Sequence, residues 1–243
     1  MNDEAALVEA IRAGYRDVCR RVREAAARVG RPAAQVTVVA VSKKHPPAVL
    51  DAAYAAGIRH VGENYAQEMR AKLGAVTHAD RLHWHFIGQL QRNKVKYLVA
   101  RAALIHALDS LQVAREIDRR MARAVADGET QKSVQPVLVA VNLAGESQKS
   151  GVAENELAEF LSGLRDLAHV RCDGFMSMPP LAQHPEESRG YFRALAGLRA
   201  RLRSPERPYP ELSIGTTGDF DVAVEEGATI VRVGTAIFGE RPA

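Results

Sequence analysis

Val36-Thr37-Val38-Val39-Ala40-Val41-Ser42-Lys43 is a run of small and β-branched residues that stops on a lysine. Such a run reads as a buried strand, and period-2 alternation puts Thr37, Val39, Val41 and Lys43 on one face. An ammonium group at the end of an apolar face is costly to bury. The cost falls when the amine loses its charge or becomes an imine. The run alone leaves two readings open: a lysine that bonds covalently, or one whose stem lies on apolar surface while its head reaches water.

Strands and helices alternate on both sides of this run. A helix is predicted from Asp3 to Val29, stopped by Gly30-Arg31-Pro32. After the strand Val36–Val41, Pro47 starts a helix that Gly57 ends, with Leu50, Ala53 and Tyr54 as its apolar stripe. Further strands are predicted at Ile58–Val61, Leu82–Ile87, Leu104–Ala107, Pro136–Val141, Arg171–Phe175, Glu211–Ile214 and Thr229–Val233. Helices follow them near Tyr65–Leu73, Lys94–Ala100, from Asp109 or Ser110 to Asp127, Glu154–Leu167, Glu186–Arg203 and Asp219–Glu226. Eight such units predict a closed (β/α)8 barrel, the TIM barrel of the α/β class, with an extra N-terminal helix. A doubly wound open sheet has the same period and count. No Gly/Ser-rich linker divides the chain, so residues 1–243 read as one domain.

The composition excludes several classes. The net charge is only +4, and its arginine clusters, Arg119, Arg120 and Arg123 and Arg193, Arg199, Arg201 and Arg203, carry no interleaved aromatics for base stacking. No nucleic-acid partner is predicted. No apolar run is long enough to span a bilayer, and the acidic opening Met1-Asn-Asp-Glu-Ala-Ala6 is unlike a signal peptide. Cys19 and Cys172 form no CxxC pair, which argues against a disulfide framework or a zinc finger. A cytoplasmic location is expected.

In such barrels the site lies on the loops after the strand C-termini. The unusual residues fall there: Lys43, Glu63-Asn64, Gly88-Gln89, Asp109, Asn142, Met176–Met178, Ser213–Thr217 and Gly234-Thr235. Closure sets the last strand beside the first, so Lys43 and Arg232 converge on one mouth. Two cations there repel unless an anion or a neutral imine resolves the conflict. Ser213-Ile-Gly215-Thr-Thr-Gly218 runs into a helix N-terminus and Gly234-Thr235 opens another turn, both suited to an anion. An amine and a phosphate cradle together point to a phosphorylated aldehyde held as a Schiff base, with pyridoxal 5′-phosphate (PLP) the obvious candidate.

The same residues carry a resemblance. Ala40-Val-Ser-Lys43, Gly62-Glu-Asn-Tyr65, His83-Trp-His-Phe-Ile-Gly88 with Leu90-Gln91, Gly145-Glu-Ser-Gln-Lys-Ser-Gly151, Gly174-Phe-Met-Ser-Met178 and Val231-Arg-Val-Gly-Thr-Ala-Ile-Phe-Gly239 are similar to the pyridoxal phosphate homeostasis protein family. The likeness covers nearly the whole chain. It implies the PLP fold type III barrel, shared with the alanine racemase N-terminal domain. It implies PLP bound covalently on Lys43 and not Lys44, with Ser213, Gly234 and Thr235 on the phosphate, Arg232 at the pyridine nitrogen, and Asn64 and Val41 lining the cofactor. The family's Ser-Met-Gly-Met-Ser-x-Asp reads Ser213-Ile-Gly-Thr-Thr-Gly-Asp219 here, which keeps hydroxyls at Thr216 and Thr217.

Blander roles stand beside these. His83 and His85 share a strand face but lack a nearby third metal ligand, so packing or hydrogen bonding is expected and no metal. Trp84 and Phe86 point to the helices, Met176 and Met178 border the cofactor or the core, and Glu63 is a general base or an ion-pair partner. A guanidinium at the ring nitrogen leaves the ring unprotonated, a poor electron sink. Alanine racemase works with such an arginine but draws a second acid/base from a C-terminal β-domain across a dimer. No such domain is expected in a chain read to Ala243. The expectation is therefore a monomeric, non-enzymatic protein of PLP homeostasis, with PLP-requiring apo-enzymes as recipients. A PLP-dependent amino-acid racemase is the alternative, and an aldolase-like barrel with a substrate-binding lysine is a third reading.

Overall fold

The computed structural model describes residues 2–143, 151–180 and 182–240. The chain opens with α1 (Asn2–Arg28) and then alternates. The elements are β1 (Thr37–Val41), α2 (Pro47–Ala55), β2 (His60–Glu63), α3 (Ala66–Leu73), β3 (His83–Phe86), β4 (Leu104–Leu108), α4 (Leu111–Ala126) and β5 (Gln135–Asn142). They continue with β6 (Val152–Ala153), α5 (Leu157–Arg165), β7 (Val170–Met176), α6 (Arg189–Leu202), β8 (Glu211–Ser213), α7 (Phe220–Glu225), β9 (Ile230–Val233) and α8 (Thr235–Phe238).

The sheet closes. β1 pairs in parallel with β2 on one side and β9 on the other, and the ladder runs β2, β3, β4, β5, β7, β8, β9 back to β1. This is the eight-stranded parallel barrel that the alternation predicted, and it excludes the open sheet. Register at the seam sets Val39 opposite Arg232 and Ala40 opposite Val233. The short β6 stands outside the barrel, pairing Val152 with Val141 at the end of β5. Two residues leave no periodic signal, so it was not predicted.

Boundaries moved where turns consumed residues. β2 begins at His60 because the Ile58 N–H still closes α2, donating to Ala53 O at 2.9 Å past Gly57 in the left-handed region. The segment expected as a helix near Lys94–Ala100 is a 3-10 turn at Arg92–Tyr97, stopped before Ala100 at φ 65°.

Two layers of core follow from alternation. Val38, Ala40, Val61, Trp84, Phe86, Val231 and Val233 face outward and join the helices in one buried cluster. Inside the barrel a second cluster holds Val39, Leu104, Ala107, Leu138, Ala140, Met176 and Ile230. The α1 stripe of Ile11, Val18, Val22 and Ala25 is buried at helical spacing. Arg21 pairs with Asp221, and Arg28 with Glu225 at 2.6 Å, which fastens α1 to α7.

Candidate functional site

Alternation extends the strand to Lys43, but the strand is shorter. β1 ends at Val41, and Lys43 lies half-buried in the turn that follows. That turn is held by the Ser42 N–H donating to Gly62 O and the His45 N–H donating to Ser42 O, both at 3.0 Å. Lys44 is exposed with φ 66°, and its backbone N–H donates to Glu68 Oε1 at 2.6 Å. A non-glycine residue in this region costs about 1–2 kcal/mol, so the Glu68 bond offsets strain directly beside Lys43.

Beneath the turn sits an ion cluster that sequence reasoning missed. Lys72 Nζ, on α3, donates to Glu63 Oε1 at 2.6 Å, Glu68 Oε1 at 2.7 Å and Ser42 O at 2.8 Å. Glu63 Oε1 also accepts from Ser42 Oγ at 2.7 Å. Burial pushes the Glu63 carboxyl up, and Lys72 pulls it back. On β2 the neighbouring Gly62 faces the interior, where a Cβ would meet Val39 and Val41. Glu63 therefore points the other way, toward α3, as an ion-pair partner rather than a base in the mouth. The signal was a lysine on the buried stripe of α3 beside Ala66 and Met69. Lys72→Ala leaves a fully buried carboxylate without its cation, so urea unfolding should show a loss of about 3 kcal/mol.

Asn64 follows β2 and is half-buried. Gly88 lets the end of β3 pass against it, since a Cβ at Gly88 would sit 2.0 Å from Asn64 O. Across the seam Gly234 packs on Val41, its missing Cβ 3.3 Å from Val41 O. The structure thus brings Val41 and Gly234 together, with Lys43 two residues on. Thr235 is exposed at the start of α8.

Arg232 is 4 % exposed. Its NH1 donates to Ser213 O at 2.7 Å and Ser213 Oγ at 2.6 Å, and its NH2 donates to Ser177 O at 3.2 Å. Among the described residues it makes no ion pair. Burial lowers the guanidinium to about 10, and the charge of Asp219 raises it. Ser213 is fully buried, with its hydroxyl shared between Arg232 and His106. In the loop above, Asp219 Oδ1 accepts from the Thr216 N–H at 2.7 Å and hydroxyl at 3.1 Å. Thr217 Oγ1 instead accepts from the Gly234 N–H at 3.2 Å. It is Thr217, not Ser213, whose hydroxyl touches the Gly234 turn.

The histidines are hydrogen-bonded and not merely packed. His85 Nδ1 lies 2.8 Å from His106 Nε2, and His85 Nε2 lies 3.0 Å from His60 Nδ1. His83 is exposed and stacks on His60 at 4.7 Å. Desolvation lowers His85 to about 3 and His106 well below the ordinary imidazole value. Trp84 and Phe86 lie in the outer core as expected, with Trp84 Nε1 donating to Ala79 O at 2.8 Å.

Over β5, β7 and β8 a cavity of about 620 Å³ opens, lined by Asn142, Met176, Met178, Thr216 and Asp219 among others. Such a volume suits a small ligand. Met176 belongs to the barrel interior and Met178 is 58 % exposed at the rim. The Gly145–Gly151 motif lies outside the described residues except for Gly151.

The family described as alanine racemase, N-terminal domain, matches residues 17–242. A pyridoxal phosphate homeostasis protein of Aquifex aeolicus is 43% identical over 225 residues, 92% of this chain and 95% of that one. The structure of PipY from Synechococcus elongatus with PLP bound superposes with a TM-score of 0.77 at 35% identity, covering 90% of this chain and 99% of that one. Alanine racemase from Corynebacterium glutamicum shares the fold at 20% identity and a TM-score of 0.62, with 97% of this chain on 62% of that one.

Proposed function

Since the chain belongs to the pyridoxal phosphate homeostasis proteins, we propose that it binds PLP covalently through Lys43 and keeps it for storage and delivery rather than for turnover. The observation that carries this reading is Arg232. A buried guanidinium without an ion pair among the described residues calls for an electron-rich group to face it. The surrounding residues fit PLP: a half-buried lysine just past β1, a glycine turn at the adjoining strand end, and hydroxyls beside it.

When bound, PLP supplies an aldehyde for attachment and a ring whose electron demand depends on the group at its nitrogen. Lys43 supplies the amine. Arg232 stays protonated and donates, which leaves the ring nitrogen an acceptor and disfavours carbanion chemistry. Asn64 and Val41 line the ring. Gly234, Thr235 and Thr217 take the phosphate. Ser213, which the resemblance put on the phosphate, is assigned beneath Arg232 instead, because its hydroxyl is already shared with Arg232 and His106. The protein acts as a single-domain monomer that passes PLP to apo-enzymes needing it.

The absorbance spectrum of the purified protein, before and after borohydride, tests the assignment. A band that borohydride bleaches is expected, and protein that takes up no PLP would overturn it. Incubation of the holo-protein with amino acids in deuterated water separates carrier from racemase. Sustained α-proton exchange would sink the carrier reading. Thr217→Val removes one hydroxyl from a doubly charged phosphate, so PLP should bind about tenfold more weakly by fluorescence titration.

A further inference from the structure

The barrel interior is crossed by one continuous file of polar groups. Arg232 NH1 on β9 reaches Ser213 Oγ on β8 at 2.6 Å. Ser213 Oγ reaches His106 Nδ1 on β4 at 2.8 Å. His106 Nε2 meets His85 Nδ1 on β3 at 2.8 Å, and His85 Nε2 meets His60 Nδ1 on β2 at 3.0 Å. His60, the first residue of β2, is half-buried. It lines a cavity of about 400 Å³ beneath α1, together with Tyr15, Cys19, Arg23 and Thr37. The file therefore runs from the proposed ligand pocket to the opposite end of the barrel.

Donor chemistry gives the file a direction. A guanidinium only donates, so Ser213 Oγ accepts from Arg232. The hydroxyl hydrogen then goes to the other partner among the described residues, His106 Nδ1. A neutral imidazole carries one N–H, so the His106 proton sits on Nε2 and is donated to His85 Nδ1. The same logic places the His85 proton on Nε2, directed at His60 Nδ1, and the His60 proton on Nε2. Burial keeps His85 and His106 neutral, so neither donates in both directions. Each ring turns its lone pair toward Arg232, so the dipoles all oppose the cost of burying the cation.

We propose that His106, His85 and His60 are positioning residues for Arg232, which with Ser213 form a unidirectional hydrogen-bond chain that holds the guanidinium charged and aimed at the ligand. A carboxylate in their place would neutralise the arginine. A chain of neutral dipoles stabilises it and leaves its charge for the ligand. The effect on PLP rests on the proposed function, whereas the chain itself does not.

The test is ¹⁵N NMR of the histidine-labelled, ligand-free full-length protein, with resonances assigned by single histidine substitutions. His60, His85 and His106 should all be neutral Nε2–H tautomers. Ser213→Ala should turn His106 and His85 into tautomer mixtures although neither touches residue 213 through more than this chain. An Nδ1–H tautomer at His85 or His106 in the wild type, or a His85 signal unmoved by Ser213→Ala, would overturn the proposal. In PLP titrations His106→Leu should weaken binding about tenfold, and His106→Asn, whose amide oxygen can accept from Ser213, should restore most of it. Equal losses in the two variants would overturn the positioning role. Wild-type protein with the predicted tautomers and no PLP uptake would overturn the cofactor reading alone.

Discussion

Lys43→Ala protein is expected to be colourless and to yield no borohydride-stable pyridoxyl peptide, a complete loss rather than a weakened signal. The amine is the atom that makes the bond, and a neighbouring lysine does not stand in for it. Lys44 is exposed with its backbone N–H held by Glu68, whereas Lys43 beside it is half-buried. Lys72 is spent on two carboxylates and a carbonyl. Peptide mapping after reduction decides the matter. An adduct on another lysine in the variant would mean that Lys43 was misassigned. Lys44→Ala is the control, and it should retain the adduct.

Acid should destabilise the apo-protein steeply, beginning well above the carboxylate range. His85 and His106 are buried neutral, with native pKa values below the unfolded value near 6.5, about 3 for His85. Between those values the unfolded chain holds more protons than the native one. Stability from these groups is therefore fully present above pH 6.5 and is lost as pH falls toward 3. A fully shifted group contributes about 1.4 kcal/mol per pH unit, so His85 alone removes about 2 kcal/mol between pH 6.5 and 4.5, and His106 adds to it in the same direction. Urea midpoints measured across that range check the slope. His85→Phe should make it shallower. A midpoint flat from pH 6.5 to 4.5 would show that the imidazoles protonate in place.

The barrel was legible in sequence because its signals are local. Runs such as Val36–Val41 and Pro136–Val141 announce strands by residue type, and glycines or prolines mark where they stop. Lys43 and Arg232 were conspicuous for a related reason, as a cation at the end of one apolar run and a cation inside another. The Glu63–Lys72 pair was not, because it depends on how α3 lies against β2. The histidine file was half seen. His83 and His85 were noticed as a pair on one strand, but the partners of His85 come from β2 and β4, and pairing across strands is set by register. Ser213 was placed by motif position, and only the fold reveals that its hydroxyl lies below Arg232 while that of Thr217 lies at Gly234.

The attachment of α1 to α7, with Arg21 and Asp221 200 positions apart, has a bearing on how the molecule is made. During synthesis α1 leaves the ribosome long before α7, the surface it docks on. The seam between β1 and β9 likewise cannot form until β9 has emerged. Nascent chains thus carry an undocked amphipathic helix and an open sheet edge through most of translation, a state that chaperones recognise and that aggregates when they are scarce. The proposed site, with Val41 and Gly234 on either side of that seam, comes into being only at closure, so PLP can favour the finished fold by mass action but cannot guide its early steps.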